Sequence, residues 1–283
     1  ADAFDYDVAA SKDSDGDGAP DEWNTNMSKE DSSTSLSIDI FPNDSSEWLD
    51  SDGDGMGDNR DAFPNDSSKN SVNPNLGLIG IYDTDGDAIG VTISGNYAYV
   101  ADGVNGLVIV NIEDPANPTW VGSYDTNGIA FDVTISGNYA YLADGYSGLT
   151  IIYIEDPANP TLVGSYDTNG YTRDLTISGN YAYLADSESG LIIVNIEDPA
   201  NPTWAGSYNT DYALGVTISG NYAYVADDYN GLVIINIEDP ANPTWVGSSN
   251  TDYVRDVTIS GNYAYLADDY NGLVIINIED PAN

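Results

Sequence analysis

The 283-residue chain contains no cysteine and no histidine, and only 6 lysines and arginines stand against 47 aspartates and glutamates. Each shortage removes a class of function. Without Cys or His there is no disulfide framework, no thiolate or imidazole metal site, and no Cys-based or Ser-His-Asp nucleophilic centre. Haem held by either residue is excluded for the same reason. A formal net charge of −41 opposes nucleic acid and anionic membranes as partners and favours bound cations or a salty medium. No apolar run reaches the roughly 18 residues of a membrane helix, so no membrane insertion is expected. The chain opens Ala1-Asp2-Ala3-Phe4-Asp5, with neither an initiator Met nor a basic, apolar leader. That reads as a secreted protein after signal-peptide removal, with an extracellular or cell-surface location as the expectation.

Repeats dominate what is present. The string VTISGNYAYVAD starts at Val91 and returns, slightly varied, at Val133, Leu175, Val216 and Val257, with spacings of 42, 42, 41 and 41 residues. Each unit holds four short runs rich in Val, Ile, Thr and Tyr, bounded by Gly, Asn, Asp or Pro, which predicts four strands. No segment sustains a 3.6-residue apolar period, so helix is set aside. A four-stranded unit of about 40 to 45 residues is the mark of a β-propeller blade. VTISG should be the innermost strand, NYAYVAD the second, GLVIVNI the third and PTWVGSYDT the outermost. The third run is almost continuously apolar, as expected where both faces pack against neighbouring blades.

The last unit stops at Pro281-Ala282-Asn283, where its outermost strand should begin. Ahead of the first unit, Leu76–Thr84 aligns with Pro118–Thr126. The expected fold is therefore all-β: a five-bladed propeller over residues 76–283, closed by the strand 76–84, which would leave no long sheet edge. The stretch Ser94–Pro118, with its four near-copies, resembles the LVIVD-repeat family of bacterial and archaeal surface proteins. Asn111, Tyr153, Asn195, Asn236 and Asn277 stand where the family has its final Asp. The resemblance implies a propeller on or outside the cell and no catalytic activity.

Residues 1–75 form a second region, a loop-rich acidic arm dominated by Ser, Asn and Asp. Asp50-Ser51-Asp52-Gly53-Asp54-Gly55-Met56-Gly57-Asp58-Asn59-Arg60-Asp61 places carboxylates at loop positions 1, 3, 5, 9 and 12, with glycines at 4 and 6. That spacing wraps a short backbone around a hard cation, with the Met56 carbonyl added. Asp13, Asp15, Asp17 and Asp21 repeat the pattern, with the Ala19 carbonyl and Asn24 in the seventh and twelfth places. Asn24 is a weaker ligand than a carboxylate, so either this loop binds more weakly or a later acid such as Asp39 folds back to complete it. Calcium is the expected ion, because magnesium keeps more of its waters. Five carboxylates within twelve residues repel one another, so ion binding and ordering should be coupled. With Phe-Pro-Asn-Asp at 41–44 and again at 63–66, the arm resembles the cysteine-free thrombospondin type 3 repeat over about residues 13–68. Residues 25–38 match no loop.

Other features read as structural. Asp83-Thr84-Asp85-Gly86-Asp87 is read as a propeller turn, and Asp227-Asp228 and Asp268-Asp269 as solvated turns. Tyr97, Tyr99, Tyr139 and Tyr141 recur in every blade and are assigned to packing, with sugar stacking the alternative. Arg173 and Arg255 occupy equivalent places two blades apart. Local pairing with Asp174 and Asp256 is expected, and a grip on an anionic ligand is the alternative. A strand such as 76–84 can also complete a neighbour's blade, and head-to-tail contacts build rings or filaments. The functional expectation is a calcium-dependent extracellular homopolymer in which the arm contacts a neighbouring propeller. The alternative is a monomeric adhesin or carbohydrate-binding propeller on a calcium-stiffened stalk.

Overall fold

Each blade is built from local hairpins whose turns the sequence specifies. The first two strands of every unit are joined by a two-residue Gly-Asn loop, and the glycines (Gly95, Gly137, Gly179, Gly220, Gly261) all have φ between 56° and 58°. A positive φ at the first loop residue is what a type II′ hairpin demands, and glycine meets it without steric cost. A computed structural model describes residues 10, 12–16, 19–33, 37–41, 43, 49–51, 58, 65, 78–251 and 253–281. The chain divides into two compact units, Ala1–Leu78 and Ile79–Asn283. In the first, the described residues include a 3-10 turn at Lys29–Asp31 and an isolated bridge between Ala10 and Trp23.

The second unit is a series of antiparallel sheets. Blade 1 comprises β1 (Gly90–Ser94), β2 (Tyr97–Ala101), β3 (Leu107–Asn111) and β4 (Thr119–Tyr124). Blade 2 comprises β5 (Asp132–Ser136), β6 (Tyr139–Ala143), β7 (Leu149–Tyr153) and β8 (Thr161–Tyr166). Blade 3 comprises β9 (Asp174–Ser178), β10 (Tyr181–Ala185), β11 (Leu191–Asn195) and β12 (Thr203–Tyr208). Blade 4 comprises β13 (Ala213–Ser219), β14 (Tyr222–Asp227), β15 (Gly231–Asn236) and β16 (Thr244–Ser249). Blade 5 has three strands, β17 (Val254–Ser260), β18 (Tyr263–Asp268) and β19 (Gly272–Asn277). Strands pair in chain order within each sheet, and the first strands of successive blades lie against one another, as expected for a propeller with VTISG innermost.

Apolar side chains between blades hold the series together. Tyr99, Leu107 and Ile109 of blade 1 pack against Val133, Leu142 and Ile152 of blade 2, and the same positions meet at the next three junctions. Full burial of each large aliphatic side chain is worth about 1.5–3 kcal/mol. β3, β7, β11 and β15 are buried at nearly every position, which explains their continuous apolar runs. Tyr99 and Tyr141 are buried in these junctions, so their recurrence reflects packing.

A fifth junction, between blade 5 and blade 1, is not formed among the described residues. Val91 is 63% exposed where its equivalent Val133 is 0%, and Leu273 is 68% exposed where Leu232 is 0%. The expected closing strand does not pair with β19 either, because residues 78–84 belong to no strand. They lie instead along blade 1, in the place an outer strand takes against the following blade. Gly80 is pressed against the Pro115 carbonyl as Gly122 is against that of Pro157, leaving no room for a Cβ at either. Tyr82 packs on Ala98, Val100, Val108 and Val110, as Tyr124 packs on the junction after it. Thr84 Oγ1 donates to Asp102 Oδ1 at 2.6 Å, as Thr126 Oγ1 does to Asp144 Oδ1 at 2.7 Å.

Candidate functional site

Four groups of polar residues have site-like geometry: the acidic loops of the arm, the buried aspartates between blades, the acids on the innermost strands, and the two arginines. Of the proposed calcium ligands, Asp13, Asp15, Ala19, Asp21, Asn24, Asp39, Asp50 and Asp58 are described. Asp17, Asp52, Asp54, Met56 and Asp61 lie outside the described residues. Among the described residues no three acidic side chains converge on one point.

The two loops nevertheless close in the same way, 37 residues apart. In the first, Asp21 N–H donates to the Lys12 carbonyl at 2.9 Å, while Ser14 N–H and Oγ donate to the Asp21 carboxylate at 2.9 and 2.6 Å. In the second, Asp58 N–H donates to the Leu49 carbonyl at 2.8 Å, and Ser51 N–H and Oγ donate to the Asp58 carboxylate at 2.7 and 2.6 Å. The ninth-position acid therefore clasps the second-position serine. Ser14 and Ser51 are the residues the spacing argument passed over, and their shared position beside the first Asp was the available signal. A carboxylate has about four lone-pair sites, so the clasp leaves acceptor capacity for an ion or its water. At the start of the first loop, Gly16 N–H donates to Asp13 Oδ1 at 2.6 Å, with Gly16 at φ 82°. Lys12 and Ser14 together hold the Asp21 carboxyl down to about 2. Asp39 meets this loop through its backbone: its N–H donates to the Pro20 carbonyl at 2.9 Å, while its buried carboxylate accepts the Phe41 N–H at Oδ1, at 2.7 Å. Asn24 sits in a turn, its carbonyl accepting the Met27 N–H at 2.8 Å.

In the propeller, the Asp that ends each YAY(V/L)AD string is buried: Asp102, Asp144, Asp186, Asp227 and Asp268. The reading of the two Asp-Asp pairs as solvated turns therefore needs correction at Asp227 and Asp268. Asp227 accepts the N–H groups of Tyr212 and Asn230, both at 2.8 Å, and Asp268 accepts that of Asn271 at 2.7 Å. In blades 2 and 3, Asp144 and Asp186 accept threonine hydroxyls from the preceding unit, Thr126 at 2.7 Å and Thr168 at 2.8 Å. Burial pushes Asp144 up to about 6, against the opposing hydrogen bonds from Thr126 and Thr150. Units 4 and 5 lack one residue in this connection, where Asp167-Thr168-Asn169-Gly170-Tyr171 becomes Asn209-Thr210-Asp211-Tyr212. There Thr210 and Thr251 keep buried hydroxyls without a hydrogen-bond partner, and backbone donors serve the aspartate instead. Asp83–Asp87 forms a turn of this same type, with Asp85 N–H donating to Asp83 Oδ1 at 3.2 Å.

A second set of acids lines the innermost strands. Asp132, Asp174 and Asp256 stand at equivalent positions within three of them, where blades 1 and 4 carry Gly90 and Gly215. Asp174 Oδ2 accepts the Val216 N–H of the next blade at 2.6 Å. Burial, then the neighbouring Asp132 carboxylate, push Asp174 well above the usual carboxylate range, and burial raises Asp132 as well.

The arginines do not pair with the acids that follow them. Arg255 bridges Asp269 at 2.6 Å and Asp228 at 3.5 Å, and its Nε donates to Asp269 Oδ2 at 2.7 Å. Arg173, at the equivalent position, makes no ion pair among the described residues. Ser187 stands in the place of Asp269 and Gly145 in that of Asp228. Arg173 Nε donates to Ser187 Oγ at 3.3 Å, and its guanidinium carbon lies 5.0 Å from the Tyr171 ring centre and 5.5 Å from that of Phe131.

The LVIVD repeat model matches residues 85–126, 127–168, 169–210, 212–251 and 253–283. This chain belongs to the LVIVD-repeat family. In chain trace the LVIVD propeller is similar to a chain of the solved nidogen/laminin complex, with a TM-score of 0.52, 15% identity, and 68% of this chain and 76% of that one covered. It is also similar to the computationally designed Ika8 protein, with a TM-score of 0.50, 8% identity, and 73% and 75% covered. At these identities the likeness concerns the fold alone. A search of curated protein sequences gives no match.

Proposed function

We propose that this LVIVD protein is a calcium-dependent, self-assembling subunit of an extracellular structure, filament or surface layer, in which blade 5 of one copy docks on blade 1 of the next. The observation that carries the reading is the pair of uncovered end faces. Leu273 and Ile275 on one, and Val91 and Ile93 on the other, are 54–68% exposed. At each of the four formed junctions, the counterparts of both faces pack against each other. A second copy offers each face the surface it meets inside the chain. Residues 78–84, held along blade 1, would add as the fourth strand to β19 of the neighbour. The contact is heterologous, so it propagates until it closes into a ring or continues as a filament.

Calcium enters through charge and through the arm. Copies carrying −41 each repel at neutral pH, and bound divalent ions lower that repulsion. The all-oxygen donor set suits calcium in the manner of thrombospondin type 3 repeats: Asp13, Asp15, Asp17 and the Ala19 carbonyl in one loop, and Asp50, Asp52, Asp54, Asp61 and the Met56 carbonyl in the other. Asp21 and Asp58 act as loop clasps. The arm precedes residues 78–84 in sequence, and in this reading ion binding in the arm favours the joint. The proposal involves no catalysis.

Light scattering and electron microscopy in about 2 mM calcium, within the range of extracellular calcium modules, test the reading. Assemblies that disperse on chelation are expected. Leu273→Asp and Val91→Asp should each block one end, and an equimolar mixture of the two variants should stop at dimers. Monomers in calcium would overturn the proposal and leave the monomeric adhesin. The aromatic cleft around Arg173 is the observation that favours that second reading.

A further inference from the structure

We propose that the cleft around Arg173 binds a saccharide bearing a carboxylate, a uronic acid residue within an otherwise sparsely charged extracellular glycan. The cleft measures about 490 Å³ and is lined by Tyr146, Tyr171, Arg173, Glu188, Ser189 and Tyr212 among others. That volume falls in the usual range for small-ligand sites. The site spans blades 2 to 4, away from both end faces, so it stands or falls independently of assembly.

Arg173 supplies the specificity. In a chain with 47 acids and 6 basic residues, a guanidinium without an ion pair among the described residues is exceptional, and Arg255 shows what the same position looks like when neutralised. The carboxylates of Asp269 and Asp228 that serve Arg255 have become Ser187 and Gly145 around Arg173. Among the described residues only Nε is engaged, by Ser187, so the two terminal nitrogens remain as a fork for a carboxylate. The Tyr171 and Phe131 rings lie within cation–π range of the guanidinium, at 5.0 and 5.5 Å, and support its position.

Ser187 adds a second sign of construction. It has φ 43° where blades 1 and 2 place Gly103 and Gly145, at 56° and 55°. A serine there is strained, and residues of this kind concentrate where the side chain has work to do. Its hydroxyl accepts from Arg173 and donates to the Tyr171 carbonyl at 2.8 Å, fixing the two residues relative to each other.

The aromatic and acidic residues define the rest of the ligand. Tyr146 is 77% exposed and meets Tyr171 edge-on at 4.5 Å, leaving ring surface open to the C–H face of a sugar. Glu188 and Ser189 offer hydrogen-bond partners for hydroxyls. Glu188 and the overall charge also repel a second nearby carboxylate, which selects an isolated acid over a dense polyanion.

The test is titration of the full chain with an aldobiouronic acid disaccharide and its methyl ester, followed by tyrosine fluorescence and saturation-transfer NMR. Saturable binding of the acid, about tenfold or more tighter than the ester, is expected from a charge-assisted paired contact. Ser187→Asp, which imitates Asp269, and Arg173→Gln should each weaken binding by about tenfold or more. Arg255→Gln should leave it unchanged. Tyr146→Ala, at an exposed position, should weaken binding of acid and ester alike, and it serves where the Ser187 or Arg173 variants fail to fold. Absence of saturable binding, equal affinity for acid and ester, or equal losses in the Arg173 and Arg255 variants would overturn the proposal.

Discussion

Asp21 in the arm and Asp144 in the propeller are the same residue type in the same acidic chain, yet their proton affinities move in opposite directions. Lys12 and Ser14 hold Asp21 down to about 2, whereas burial lifts Asp144 to about 6. In the arm, the Lys12 ammonium and the Ser14 donors beside Asp21 favour its ionised form. In the propeller Asp144 lies inside, where it accepts hydrogen bonds from Thr126 of the preceding unit and from Thr150, and burial opposes its ionisation. The same side chain is thus held as an anion beside a cation in one region and latches neighbouring repeats in the other.

The largest expected effect comes from breaking a latch. Asp144→Ala would leave Thr126 and Thr150 without an acceptor in a buried junction, at a loss of about 2–4 kcal/mol in thermal or urea unfolding. Asp144→Asn keeps an acceptor and removes the charge, so it should match or exceed the parent at pH 7.

The pH dependence follows, with a smaller effect. Asp144 is raised from 3.8 to about 6, so the folded state binds its proton more tightly than the unfolded chain does. The associated stability is fully present below pH 4 and is lost as pH rises through about 6. Melting of the propeller should therefore rise on acidification from pH 7 toward pH 4, by about 1–2 kcal/mol for this group after allowance for solvent screening. Asp174 acts in the same direction. Asp144→Asn should flatten the profile, and an unchanged profile would assign the pH effect to other acids. The arm should respond with the opposite sign, because the Asp21 carboxylate is ionised down to about pH 2.

The smallest effect is expected in the arm itself. Ser51→Ala removes one hydrogen bond of the Ser51–Asp58 clasp and keeps the other, from the backbone N–H. Calcium affinity measured by calorimetry should fall about threefold, in line with the loss of one exposed hydrogen bond. Equal affinity would mean that the clasp plays no part in ion binding.

Most of the blade architecture was legible because the repeat is local. The Gly-Asn turns, the alternation of Val and Tyr and the continuous third strand are all set within about 40 residues of one another. The acidic spacing of the two loops was legible, and Ser14 and Ser51 share a position within it, but residue type alone does not separate a clasp from a solvated serine. The pairing of Arg255 with Asp228 and Asp269, 27 and 14 residues away, was hidden by the nearer Asp256. A residue next in sequence on a strand points to the opposite face, so adjacency misled where spatial equivalence would not.

The sequence by itself determined the strands, their order in each sheet, the two-region organisation and the acidic character of the loops, because these depend on period, turn chemistry and charge count. Tertiary structure alone decided which junctions form, which aspartates are buried, and which of Arg173 and Arg255 is ion-paired among the described residues. Those outcomes rest on neighbours from other repeats and on depth from solvent. Near-identical blades cannot reveal them, since Leu232 and Leu273 carry the same local sequence, yet one is buried and the other uncovered.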